Sequence, residues 1–164
     1  MHLAEWTTSV LFLPICLYFA LSRGEYGFLD NADLLIHEAG HFFFMLFGPF
    51  LRVAGGTLMQ ILLPSLLVWH FWRHSYRFGA QVSLFWLGHN FINISVYAAD
   101  ARARLLPLLG GDNVVHDWWY MLGTLGILEH DRAVGHLFFG LALIVFVWLL
   151  LVPKFLWGTG DASS

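Results

Sequence analysis

Four stretches of this chain run without a single Lys, Arg, Asp or Glu: 6–22, 53–72, 78–99 and 133–153. A helix rises about 1.5 Å per residue, so roughly 20 apolar residues, or about 17 at the low end, cross the hydrocarbon core of a bilayer. Each of the four runs is that long. Hydrophobic residues make up 59% of the 164 and charged residues 12%, against about a quarter charged in soluble domains. A soluble core of this size could not hide so much apolar surface, whereas a bilayer can. The runs predict an all-α, polytopic transmembrane helix bundle with about five membrane helices, in a multi-pass integral membrane protein whose surroundings are the lipid bilayer.

The expected helices are 6–22, 31–50, 54–73, 78–100 and 133–153, forming a single integral membrane domain over 1–157. Asp30 or Asn31 is the expected N-cap of the second helix, and Gly48-Pro49 lies near its end. Trp6, Trp72, Tyr76, Trp118, Trp119, Tyr120 and Trp157 fall near the run ends, where amphipathic rings anchor helices at the interface. Loop 101–132 is the only long connection, and loops of that length in compact folds are usually functional or partly structured. Residues 158–164 read as a flexible tail.

The first run has no basic residue before it and no A-x-A site after it, which marks it as a retained helix rather than a signal peptide. A single cysteine, Cys16, rules out an internal disulfide. The net charge of −3 gives no basic footprint and so no nucleic-acid partner. Basic residues divide evenly between the two sides, Arg52, Arg102, Arg104 and Arg132 against Arg23, Arg73, Arg77 and Lys154, so orientation in the membrane is not assigned.

His37-Glu38-Ala39-Gly40-His41 is an H-E-x-x-H sequence in the second expected helix. Residues four apart share a helix face, so both imidazoles can grip one metal ion. Glu38, beside the first ligand, can take a proton from a water that zinc acidifies from a pKa of 15.7 to about 7. Two His and a Glu within one apolar helix are costly in lipid, which argues for a polar interior and a function. One Zn²⁺ ion is the expected cofactor.

Catalytic zinc normally takes three protein ligands and a water, and the chain offers several candidates for the third. His89, Asn93 and Asp100 fall within about 40° of one another on the fourth helix, with Asn90 and Tyr97 flanking them. If the second and fourth helices enter the bilayer at one level, His89 lies nearest the depth of His37, and Asp100 about 15 Å deeper. The loop adds Asp112, His116 and Asp117, a His-Asp pair that can ligate metal or orient a ligand, while Asp112 or Asn113 can cap a helix beginning near Val114. On the third helix, Gly55 and Gly56 permit close helix approach and Gln60 can hydrogen-bond across the contact. Asn93, Gln60 and Asn90 are the candidates for substrate alignment or support of the ligands.

The order of these features resembles the site-2 protease family of intramembrane zinc metalloproteases. His37–His41 matches the family's first motif in full. Gly56-Thr57-Leu58-Met59-Gln60 stands where the family has a G-x-x-x-N-like motif, with Gln in place of Asn, and Asn93–Asp100 stands where it has an Asn-containing stretch ending in Leu-Asp-Gly. The resemblance implies Asp100 as the third zinc ligand, ahead of His116, Asp117 and His89. It also implies hydrolysis of a peptide bond in a membrane-protein or peptide substrate. A zinc-dependent hydrolase of a lipid or other membrane-soluble molecule, and a non-enzymatic metal-binding or transport protein, are the alternatives.

Overall fold

The computed structural model describes residues 6–107 and 115–156, and among these the protein is all-helical. Six α-helices follow in chain order: α1 Thr7–Leu21, α2 Phe28–Phe43, α3 Pro49–Arg73, α4 Arg77–Ala99, α5 Asp117–Thr124 and α6 Asp131–Phe155. The tail 158–164, Trp157, Asp112, Asn113 and Val114 lie outside the described residues.

The second expected helix, 31–50, is corrected at both ends. α2 starts at Phe28 with Gly27 as N-cap, and Asp30 sits one turn in, accepting the Gly27 N–H at 2.7 Å. That bond satisfies one of the amide donors a helix N-terminus leaves orphaned, and an acidic group there suits the helix dipole. α2 ends at Phe43, and a short 3₁₀ turn, Met45–Phe47, follows. Gly48, at φ +93°, takes a backbone shape that L side chains avoid. It feeds Pro49 into the first position of α3, where a fixed φ and a missing N–H cost nothing. The Gly48-Pro49 pair thus opens the third helix rather than closing the second.

α4 is the central helix, with buried residues on all sides from Gly79 to Ala98. Small residues set its contact with α6: a Cβ on Gly135 would lie 2.6 Å from the Ser95 carbonyl oxygen, and one on Gly88 would overlap the Phe146 ring. Gln81, fully buried, donates to Ser9 Oγ at 2.9 Å and to the Leu149 carbonyl at 3.2 Å, joining α1, α4 and α6. α2 and α3 touch backbone to backbone at Gly40 and Gly55, where a Cβ on either residue would overlap the other chain.

α3 and the segment Leu128–Phe155 are long and apolar enough to cross a membrane. Only 33% and 28% of their most apolar stretches are buried, so their hydrophobic residues face outward more than inward. Leu62, Leu66 and Trp69 on α3 and Leu137, Ile144, Val147 and Trp148 on α6 are exposed.

The tight glycine contact gives the first expected outcome. Gly40→Ala forces α2 away from Gly55 and should cost about 1–3 kcal/mol, read as a lowered Tm in detergent. Gly140→Ala, whose Cβ would meet nothing within 4 Å, should leave Tm unchanged or raise stability by up to ~1 kcal/mol.

Candidate metal centre

Asp30, Asp33, His37 and His41 recur at helical spacing and lie along one face of α2. The His37 and His41 rings stand edge to face with centroids 4.8 Å apart. Space for His37 comes from Gly56, because any Cβ there would overlap the imidazole. His37 Nδ1 is 2.9 Å from Gln60 Oε1, and His41 Nδ1 is 2.8 Å from the backbone carbonyl of Arg52. Both partners are oxygens that can only accept, so each Nδ1 donates, and each Nε2 is the atom left to face Asp117 or a metal ion. A partner of this kind on the second ring nitrogen is what orients histidine as a metal ligand.

Both Nε2 atoms face one carboxylate oxygen. Asp117 Oδ2 is 2.8 Å from His37 Nε2 and 3.2 Å from His41 Nε2. Ligands at about 2.0–2.1 Å from a tetrahedral zinc stand roughly 3.3 Å apart, so the separations are close to those of a filled site. Lone pairs and a carboxylate facing each other also repel unless a cation or protons lie between them. The residues therefore fit a divalent ion. Without an ion, Nε2–H groups of His37 and His41 can donate to Asp117, and these hydrogen bonds outweigh the upward push of burial and hold its carboxyl below the usual carboxylate range.

Asp117 reaches the histidines because α5 is pinned to the bundle. Trp118, Met121 and Leu122 form its buried face, with Trp118 edge-on to Phe138 of α6 at 5.4 Å. The Asp117 N–H donates to Tyr97 Oη at 3.1 Å, and the Tyr97 ring also lies against His37, centroids 5.8 Å apart.

The other residues singled out in the sequence fall into separate places. Asp100 is not in the group of three: it is the C-cap residue of α4, and its carboxylate accepts the N–H groups of Leu105 and Leu106 at 3.0 Å each. His116 is the N-cap of α5; its Nδ1 accepts the Trp119 N–H, and its Nε2 faces Asp100 Oδ2 at 3.5 Å, longer than a good hydrogen bond. Burial holds the His116 imidazole below its ordinary value. His89 is not level with His37, as equal helix depths would have it. Its Nδ1 donates to Asp33 Oδ2 at 2.7 Å, and Tyr97 occupies the level of His37 instead.

Gln60 supports His37 directly, and its Nε2 donates to Asn93 Oδ1 at 3.0 Å. Asn93 Nδ2 donates in turn to Asp30 Oδ1 at 3.0 Å. Asn90 is outside this chain and donates to the Trp86 carbonyl of its own helix. Glu38 is exposed, on the same open flank as His41, whose side chain is 25% exposed. Catalytic zinc sites need such an open position, whereas structural sites close around the ion.

Asp33 is not among the residues the sequence singles out, and Asp30 is there only a candidate cap. Their signal was the spacing of three and four residues leading into His37. Asp30, Asp33 and His89 also gather their ligand-type atoms within 4.8 Å, but all three are buried. The Asp33 oxygens are taken up by Trp86 Nε1–H at 2.9 Å and by His89, so this second group reads as helix pairing between α2 and α4.

No family model, curated protein or solved structure matches the chain.

The geometry separates the two aspartates by metal content. Zinc measured by elemental analysis on the purified protein should fall from one equivalent to well under half in Asp117→Asn. It should be retained in Asp100→Asn, whose amide oxygen can still accept a loop N–H.

Proposed function

We propose that the protein is a membrane-embedded zinc metalloprotease, in which His37, His41 and Asp117 hold one zinc ion and Glu38 is the general base. The observation that carries this reading is the meeting of two Nε2 atoms with one carboxylate oxygen, their helix also presenting Glu38 at the open flank. Bound there, zinc supplies Lewis acidity toward a carbonyl oxygen and a water acidified to near-neutral pKa.

The chain's own residues supply the rest. Gln60 and the Arg52 carbonyl accept from the two Nδ1 atoms, so that Nε2 is the atom each imidazole would offer to the ion. Asp117 adds negative charge and, through its N–H on Tyr97, ties α5 to α4. Glu38 takes the proton from the attacking water and delivers it to the leaving nitrogen as the peptide bond breaks. In this reading Asp117 fills the role that the resemblance to site-2 proteases gives to Asp100.

Lipid as the surrounding solvent is supported by the outward apolar faces of α3 and α6 and by the exposed Val10, Leu11, Leu17 and Leu21 of α1. Apolar surface on that scale is rare on soluble monomers. In this reading α1, α2 and α4 complete a multi-pass membrane domain around α3 and α6, with Asp33, Gln60, Gln81 and His89 facing inward. The substrate is then a membrane-associated peptide segment, locally extended to bring a carbonyl to the open flank beside His41.

Glu38→Gln tests the reading. The variant should retain zinc while cleavage of membrane-embedded peptide substrates falls about 10²–10⁴-fold; undiminished cleavage would overturn it. Mass spectrometry of products, with lipids and peptides offered together, distinguishes a protease from a lipid hydrolase. Zinc flux into liposomes that survives Glu38→Gln would mark a transporter instead.

A further inference from the structure

H-E-x-x-H does not hold the chain's only helical pair of histidines. His70 and His74 stand four residues apart at the end of α3, His74 as its C-cap residue, and both are exposed. Their ring centroids are 4.4 Å apart, closer than the 4.8 Å of His37 and His41. The pair lies about 15–20 Å along α3 from Gln60, the residue against His37.

We infer that His70 and His74 form a second metal site, a surface clamp for a divalent transition-metal ion at the end of α3 farthest from His37. This inference does not depend on how the central group is read, nor on the protein being an enzyme.

Residues four apart share a helix face, one above the other. Exposed imidazoles can turn about their side-chain torsions, and a tetrahedral ion needs its ligand atoms only about 3.3 Å apart. His74 Nδ1 lies 2.7 Å from the His70 carbonyl oxygen, so Nε2 is the nitrogen it presents outward. His70 packs against the rings of Phe71 and His74 and makes no side-chain hydrogen bond among the described residues. The guanidinium of Arg73, between the two in sequence, is folded back over the Trp69 ring at 5.7 Å. The last carbonyls of a helix carry partial negative charge, which suits a cation at this end.

The donor set names the class of ion. Imidazoles bind zinc, copper and nickel, whereas magnesium and calcium prefer carboxylate and carbonyl oxygens. Among the described residues no acid joins His70 and His74 in a group of three, and Phe71 stands where Glu38 stands beside His37. The pair therefore holds an ion, with water in the remaining positions, and has no base beside it to activate that water. With two protein ligands instead of three it grips less tightly than the central group, so the metal must be added back to purified protein.

Binding here has a structural consequence. Beyond His74 the chain turns at Ser75, φ +54°, and enters α4 at Arg77. An ion shared by His70 and His74 ties the cap of α3 to the turn before it, and any ligand bound only by the folded state raises stability.

The test is a Cu²⁺ titration of the full-length protein in detergent near neutral pH, read by electron paramagnetic resonance and by Tm. Copper is the probe because it binds nitrogen ligands most tightly among the divalent first-row ions. Wild type is compared with His70→Gln, His74→Gln and the double variant, all at exposed positions and all with the central histidines intact. Wild type should show a component with two imidazole nitrogens that all three variants lack, and added Cu²⁺ should raise Tm in wild type alone. Affinity for that component should fall about 10²-fold or more in either single variant, because a lone imidazole loses the advantage of chelation. The double variant should be no worse than the singles. A two-nitrogen component that survives in the double variant overturns the inference. So do losses in the two single variants that merely add up to the loss in the double, which would mark two separate one-histidine contacts.

Discussion

Where Gly40 lies against Gly55, the backbones of α2 and α3 are in direct contact with no side chain between them. The two helices pass in opposite directions at that point. His41 therefore meets Arg52 on one side of the glycine pair, and His37 meets Gln60 on the other. One contact sets two hydrogen bonds, and with them the orientation of both imidazoles. Gly56 extends the logic by a residue, since its missing side chain is the space His37 occupies. Small residues at a helix contact are the usual means of close approach in apolar surroundings, and here they bring polar groups into register.

A layer of buried polar side chains inside a largely apolar bundle is costly unless each group finds a partner. α2 and α4 meet this demand mutually. Asp33, fully buried, is held by Trp86 and His89, while Asp30 is held by Asn93 and by the start of its own helix. Phe19 of α1 packs edge-on to His89 at 4.7 Å and closes that layer from the first helix. The result is one rigid flank behind His37 and one open flank at His41 and Glu38. Fixed donors and acceptors thus stand behind His37, while His41 and Glu38 face outward.

Much of this was legible in the chain, because it lies in local spacing. The four uncharged runs lie on α1, α3, α4 and α6, the H-E-x-x-H spacing puts its two imidazoles side by side, and of the stripe His89 and Asn93 face α2 while Asp100 caps α4. The double glycine before Gln60 announced the α2–α3 contact. Helix ends were less legible, since Gly48-Pro49 can close one helix or open the next, and only the φ of Gly48 decides. Asp33 was overlooked because a lone acidic residue in the first turns of a helix is ordinary. Its meaning appears only when Trp86 and His89 are seen opposite it.

Asp117 could not be ranked above Asp100 from periodicity, because its place depends on a contact across 80 positions of sequence. Yet the two aspartates are parts of one device. Asp100 ends α4 by accepting the N–H groups of Leu105 and Leu106, which turns the chain as it leaves the helix. The same carboxylate faces His116, the residue before Asp117, when the chain returns. Asp100 thus stands at the end of α4 with its carboxylate on the loop N–H groups, while Asp117 stands opposite the two imidazoles.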